Sequence, residues 1–316
     1  MRFPRRVLIR SFLALFLSFA SKGMAAERFY LSIPGPTLSY THLYYGQGKG
    51  FFSQEGLDLQ VLVVRGIIGV SSLMSGEIDV TCHAGSGFAA ALHGLPVKVI
   101  SVTHDRPVHE LIVAPSISAA SDLKGKPIAV GSLEGTAAVI TRRVLQAKGL
   151  DAQKDVTLLS MDTTVRLQSL FTGRVAGAMM TPPSTYLALD QGFRVLARGR
   201  DLMRYLQTGV VTTDANIKQK GAKIVRFLRA WNRALKFYQD NPEMMIPYIQ
   251  RKLGVKEPQL ARRMYEDDVG AISLSGILSL DATKEILDTG REALRIKEPI
   301  PAERIFDFSL AAEAVK

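Results

Sequence analysis

The sequence has one cysteine, Cys82, in 316 residues. An intramolecular disulfide is therefore impossible, and a metal centre built on several thiolates is excluded. No Gly-Lys-Ser/Thr follows a glycine turn, which excludes a P-loop. Only two glycines of a dinucleotide fingerprint are present near Gly131. No Gly-x-Ser-x-Gly elbow and no Ser/His/Asp set in recognisable context occurs. Low-complexity tracts are absent. So is a basic run with interleaved aromatics, and nucleic acid is not an expected partner. The longest apolar run, Phe12 to Ala20, is too short to span a bilayer.

That run has another meaning. Arg2, Arg5 and Arg6 precede it, and Gly23-Met24-Ala25-Ala26 follows. A basic start, a short apolar core and small residues make a secretory leader over residues 1–26, cleaved near Ala25 or Ala26. The formal net charge of +11 includes five basic residues of the leader, which has no acid. The remaining chain is modestly basic, with the excess spread along it. Composition is ordinary for a globular protein: 47% hydrophobic and 22% charged. An exported, cysteine-poor chain with room for two cores points to a bacterial periplasm.

The stretch Lys126 to Gly149 reads as a strand, a glycine turn and a helix. Pro127 suits the start of a strand, Ile128 to Val130 is a buried run, and Gly149 supplies the stop. From Arg28 to Val102, strands alternate with short helices, the pattern of a parallel α/β sheet. Strands are expected at Arg28–Ile33, Leu57–Val64, Ile78–Cys82 and Val97–Val102.

The order then recurs. Ser72-Leu73-Met74-Ser75-Gly76-Glu77-Ile78 is echoed 97 positions later by Ser169-Leu170-Phe171-Thr172-Gly173-Arg174-Val175. Lys49-Gly50-Phe51 is echoed by Lys148-Gly149-Leu150. Two copies of one βαβαβ unit give two lobes, not a solenoid. Residues 27–112 and 212–316 are expected to form lobe 1, and 113–211 lobe 2. Two crossing segments, around Glu110–Ala114 and Gly209–Thr213, make a hinge. From Asn216 the chain turns helical and completes lobe 1. Pro247 is expected to kink or break one of those helices.

In such a fold ligands sit beyond the carboxyl ends of the strands. Four turns fall there: Pro36–Thr41, His83–Gly87, Gly131–Thr136 and Thr181–Thr185. They carry small hydroxyls, and converging helix starts suit a small anion. Tyr40, Phe88 and Tyr186 can supply a stacking wall or serve as packing. Thr103 to Glu110 gathers two histidines, two carboxylates and an arginine. Its spacing is not His-Glu-x-x-His and Pro107 disfavours helix, so no metal is expected. It is either a plain polar loop or a cleft rim contributing His104 or Arg106.

Three runs together resemble the periplasmic solute-binding proteins of ABC importers, in the group that handles nitrate, taurine, alkanesulfonates and thiamine-pyrimidine precursors. They are Gly46-Gln47-Gly48-Lys49-Gly50-Phe51-Phe52-Ser53-Gln54-Glu55-Gly56-Leu57, Leu73-Met74-Ser75-Gly76-Glu77-Ile78-Asp79-Val80, and Ser121-Asp122-Leu123-Lys124-Gly125-Lys126-Pro127-Ile128-Ala129-Val130-Gly131. The resemblance spans most of residues 28–215. It implies a two-lobed type II binding fold, each lobe a mainly parallel sheet flanked by helices. It implies a monomer that carries a small-molecule ligand to an inner-membrane permease, without chemistry and without cofactor. By family position, Ser39, Tyr40, Gly85, Ser86, Ser132, Gly135, Thr136, Thr181 and Pro182 would face the cleft. Two alternatives stay open: a pyrimidine-synthase-like enzyme of the same superfamily, and a periplasmic sensor that signals to a membrane receptor. No residue signature selects one ligand.

Overall fold

The computed structural model describes residues 26–316. The expected leader, residues 1–26, lies outside them except for Ala26. No helix among the described residues is long and apolar enough to cross a membrane.

The chain begins with β1 (Glu27–Ile33), a 3-10 turn at Leu38–Tyr40, α1 (Thr41–Gly48), α2 (Phe51–Gln54) and β2 (Leu57–Val63). Then come α3 (Gly66–Met74), β3 (Val80–Thr81), α4 (Ala84–Leu92) and β4 (Val97–His104). The second unit is β5 (Glu110–Val113), β6 (Lys126–Val130), α5 (Thr136–Ala147), β7 (Val156–Ser160), α6 (Thr163–Phe171), β8 (Gly177–Met180), α7 (Ser184–Asp190) and β9 (Arg194–Arg198). The chain returns through β10 (Thr208–Thr213). It continues with α8 (Asp214–Asp240), α9 (Pro242–Leu253), α10 (Pro258–Val269), α11 (Leu280–Leu294), α12 (Ala302–Ile305) and α13 (Ser309–Ala314).

Two five-stranded sheets result, in the orders β2-β1-β3-β10-β4 and β7-β6-β8-β5-β9. The orders are the same pattern twice. In each sheet one strand, next to the end, runs against its neighbours: β10 in the first and β5 in the second. These are the strands that enter from the other unit. The duplicated, two-lobed α/β architecture is thus present, each sheet mainly parallel with one reversed strand. All of β5 pairs in the second sheet and all of β10 in the first.

Apolar faces hold each sheet. In lobe 1, Phe29 on β1 stacks on Phe227 of α8 with ring centres 4.5 Å apart, and Trp231 packs behind. Such aromatic pairs contribute about 0.5–1.5 kcal/mol beyond their buried area. A second cluster runs through both lobes on the hinge side. Phe88 and Val99 of lobe 1 join Ile128 and Ile140 of lobe 2 through Tyr205 and Leu206. Helix α8 begins with an N-cap, where Thr213 Oγ1 accepts from Asn216 N at 3.0 Å. Of the two outcomes expected at Pro247, a break does not occur: helix α9 continues through it. A proline there removes one donor, and the ladder resumes on either side.

Candidate functional site

Between the carboxyl ends of the two sets of strands lies a cavity of ≈ 820 Å³, its open mouth included. Two helices aim their N-termini into it, α4 from lobe 1 and α5 from lobe 2. Their first N–H groups have no acceptor within the helix, and the aligned peptides place partial positive charge there. The two ends nearly touch. A Cβ on Gly85 would lie 2.3 Å from Thr136 Oγ1 and 2.4 Å from Thr136 N. Only glycine permits that approach.

Of the residues expected at the cleft, Tyr40, Gly85, Ser86, Ser132, Gly135, Thr136 and Thr181 line this one cavity. Their hydroxyls are not all free. Thr136 Oγ1 donates to Leu206 O at 2.6 Å, fastening α5 to the segment that returns to lobe 1. Tyr40 donates to Cys82 O at 2.9 Å, so its ring forms a fixed wall. Three others are elsewhere. Ser39 is buried in the 3-10 turn, while Thr37 and Tyr40 on either side reach the cavity. Pro182 lines a neighbouring cavity.

His104 requires a correction. Strand β4 runs two residues further than the expected Val102, because β10 continues alongside and Thr208 pairs with His104. His104 is therefore drawn into the core, fully buried. Its Nε2 lies 3.5 Å from Asp268 Oδ1 on α10. It is not at a cleft rim. Phe88 is also core, packed on Tyr205 and Phe306.

The sequence reading did not single out the most charged residue of the cavity. Arg166, on the first turns of α6, is 7% exposed. Its Nη1 donates to Met179 O at 2.7 Å and Nη2 to Thr163 Oγ1 at 3.1 Å. Its Nε is buried and donates to nothing. No carboxylate among the described residues forms an ion pair with it. Burial pulls its pKa down to about 10, with Asp162 opposing, so it stays a cation at neutral pH. A signal was available. Strand β7 ends at Ser160, and the turn after it also lies at a carboxyl strand end.

Apart from Arg65 and Asp162 at the mouth, the remaining titratable side chains here are uncharged. His83 is held by Thr81 Oγ1 at its Nδ1, 2.7 Å, and by Val64 O at its Nε2, 2.8 Å. Nε2–H donates to the carbonyl, which fixes the neutral tautomer. Burial pushes its pKa down to about 4. His109 places Nδ1 2.9 Å from Gln207 Oε1, linking the two crossing segments. Burial, then Arg166, pushes its pKa down to about 3. Burial raises the Cys82 thiol, so it is not a thiolate at neutral pH. At the mouth, Arg65 of lobe 1 and Asp162 of lobe 2 approach to 4.0 Å.

Fold and cavity together define a two-lobed α/β architecture with an open crevice between its lobes. The match to known sequences narrows this. A family model described as NMT1/THI5 like covers residues 38–245, and the chain belongs to that family. No curated protein is matched by sequence. Solved structures share the fold at low identity. A Bordetella bronchiseptica RB50 protein superposes with a TM-score of 0.77 at 17% identity, covering 92% of this chain and 97% of that one. The alkanesulfonate-binding protein SsuA from Xanthomonas axonopodis pv. citri, bound to MOPS, gives 0.70 at 18%, covering 92% and 98%. The desulfurization enzyme DszB, in complex with biphenyl-2-sulfinic acid, gives 0.61 at 14%, covering 92% and 99%.

Proposed function

We propose that this chain is the solute-binding component of an ABC importer, exported to the periplasm, and that it captures a small organic anion between its lobes. One observation carries the reading: the buried, unpaired guanidinium of Arg166 beside two helix N-termini. A buried cation without a counter-ion is costly, and the cost is relieved when an anion arrives with its own negative charge. Bonds to an ionised group are about twice as strong as neutral ones. Ser86, Ser132 and Thr163 add hydroxyls around the same space. Membership of the NMT1/THI5-like family and the fold shared with an alkanesulfonate-binding protein support the same reading. Delivery to a permease follows from it as a role.

The fold also carries enzymes, as DszB shows. For this chain an enzymatic reading has less support. The cysteine on the cavity wall is protonated, and both histidines there are neutral with a ring nitrogen already engaged. Among the described residues no lysine lines the cavity to anchor an aldehyde cofactor. A thermal-shift screen of the mature chain against sulfonates, carboxylates, nitrate and pyrimidines tests the proposal. An anion is expected to raise Tm in the parent and not in Arg166→Ala. A shift only with a cationic or sugar ligand contradicts it.

A further inference from the structure

The cavity that holds Arg166 does not end at His109. That ring is also a wall of a second cavity, ≈ 850 Å³ with its open mouth, between α7 of lobe 2 and α10 of lobe 1. The two spaces abut along three wall segments. His109 lines both. Thr37 lines the first and Leu38 the second; Thr181 lines the first and Pro182 the second. Adjacent residues thus line adjacent cavities, with His109 between them.

The chambers differ in chemistry. The first presents hydroxyls, helix starts and Arg166. The second adds an apolar stretch to its wall: Leu38, Pro107, Val108, Leu189 and Met264, with the Tyr186 ring beside them. Its charges are mostly spoken for at the rim. Arg198 meets Glu110 at 2.8 Å and Arg200 meets Asp267 at 3.7 Å. Arg263 is exposed, where water screens it. Asp268, buried at the floor, faces His104 at 3.5 Å. A chamber with apolar walls, a tyrosine and two prolines suits a flat ring rather than a second charged group.

We propose that the ligand is an aryl acid whose anionic head meets Arg166 and whose ring system passes His109 into the second chamber. This rests on the cleft being an anion site. Bare inorganic anions and short acids fill only the first chamber. The aryl body adds buried apolar area without adding charge. His109 is the uncharged divider over which the ligand runs. Its position is set by Gln207, which also receives Val108 N at 3.3 Å. The divider therefore belongs to both crossing segments.

Calorimetric titration with matched acids tests this: methanesulfonate against naphthalene-2-sulfonate, and acetate against biphenyl-4-carboxylate. In a head class that binds, the aryl acid is expected to bind at least about tenfold tighter than the short one. Leu189→Trp fills the second chamber from lobe 2. It is expected to remove that preference while leaving the short acid within about twofold. Leu189→Phe fills it less and gives an intermediate loss, and circular dichroism of both variants checks folding. Equal affinity for short and aryl acids, or an aryl preference that both variants retain, overturns the second chamber and leaves the anion site standing. Binding of short and aryl acids that survives Arg166→Ala overturns the anion site, and the aryl-acid assignment with it. Binding of no acid at all does the same.

Discussion

Helices α3 and α6 start at equivalent points of the two repeats, and they differ where it matters. Both are nine residues long and follow the edge strand of their sheet. Their N-cap residues, Arg65 and Asp162, have nearly the same extended backbone. Four residues further in, α3 has Gly69 and α6 has Arg166. At Gly69 the space a side chain would take belongs to His83, with Nδ1 2.7 Å from a Cβ placed there. At Arg166 the side chain itself turns into the crevice. One copy buries a neutral ring against a glycine; the other buries a cation. The duplicated scaffold is symmetric, and the charge of the site is not.

Removing Arg166 gives the largest effect. Arg166→Ala is expected to weaken the best-binding anion by about 2–5 kcal/mol, or some thirtyfold and upward. The ligand-free protein should melt at or above the parent temperature, because a desolvated cation has gone. Calorimetry and thermal melts of both proteins check the two halves. A large loss of Tm without ligand would give Arg166 a structural role instead.

Equalising the copies from the other side comes next. Gly69→Val forces a side chain against His83 and Ser32, and overpacking of this kind costs about 1–3 kcal/mol. Urea denaturation should show the midpoint falling with little change in slope.

Acid then sharpens the contrast. His83 titrates near 4 when folded and near 6.5 when unfolded. Between those values the unfolded chain takes a proton that the folded chain refuses. Stability therefore falls as pH drops from about 6.5 towards 4, by about 1.4 kcal/mol per pH unit for this histidine. Burial lowers His42, His104 and His109 as well, which steepens the fall. Melting at pH 7 and pH 4.5 measures it, and His83→Gln should flatten the profile.

The smallest effect is at the mouth. Arg65 and Asp162 are the equivalent caps, facing each other across the crevice with both side chains more than half exposed. Arg65→Ala should cost about 0–1 kcal/mol of ligand affinity, less at high salt. Titrations at 50 mM and 500 mM NaCl compare the two proteins.

Much of this could be read from the residues. The glycine stops, apolar runs and the repeated Ser-Leu passage gave the two sheets. The turns at strand ends gave seven residues of one cavity. Where the reading missed, tertiary pairing decided. His104 follows from how far β10 runs beside β4, which no local pattern sets. Ser39 and Pro182 face away although their neighbours face in, because a tight turn changes direction within one residue. Arg166 looks like an ordinary solvated helix residue until the strand pairing shows that α6 begins inside the crevice. The repeat offset held the clue, since it places an arginine where the first copy has glycine.

Diffraction from crystals of the mature chain grown with the tightest anion of the screen tests the central claim most directly. The account predicts anion oxygens within hydrogen-bonding distance of Arg166 Nε and of the first N–H groups of α4 and α5. Density for the anion elsewhere, with Arg166 Nε still without a partner, would contradict it.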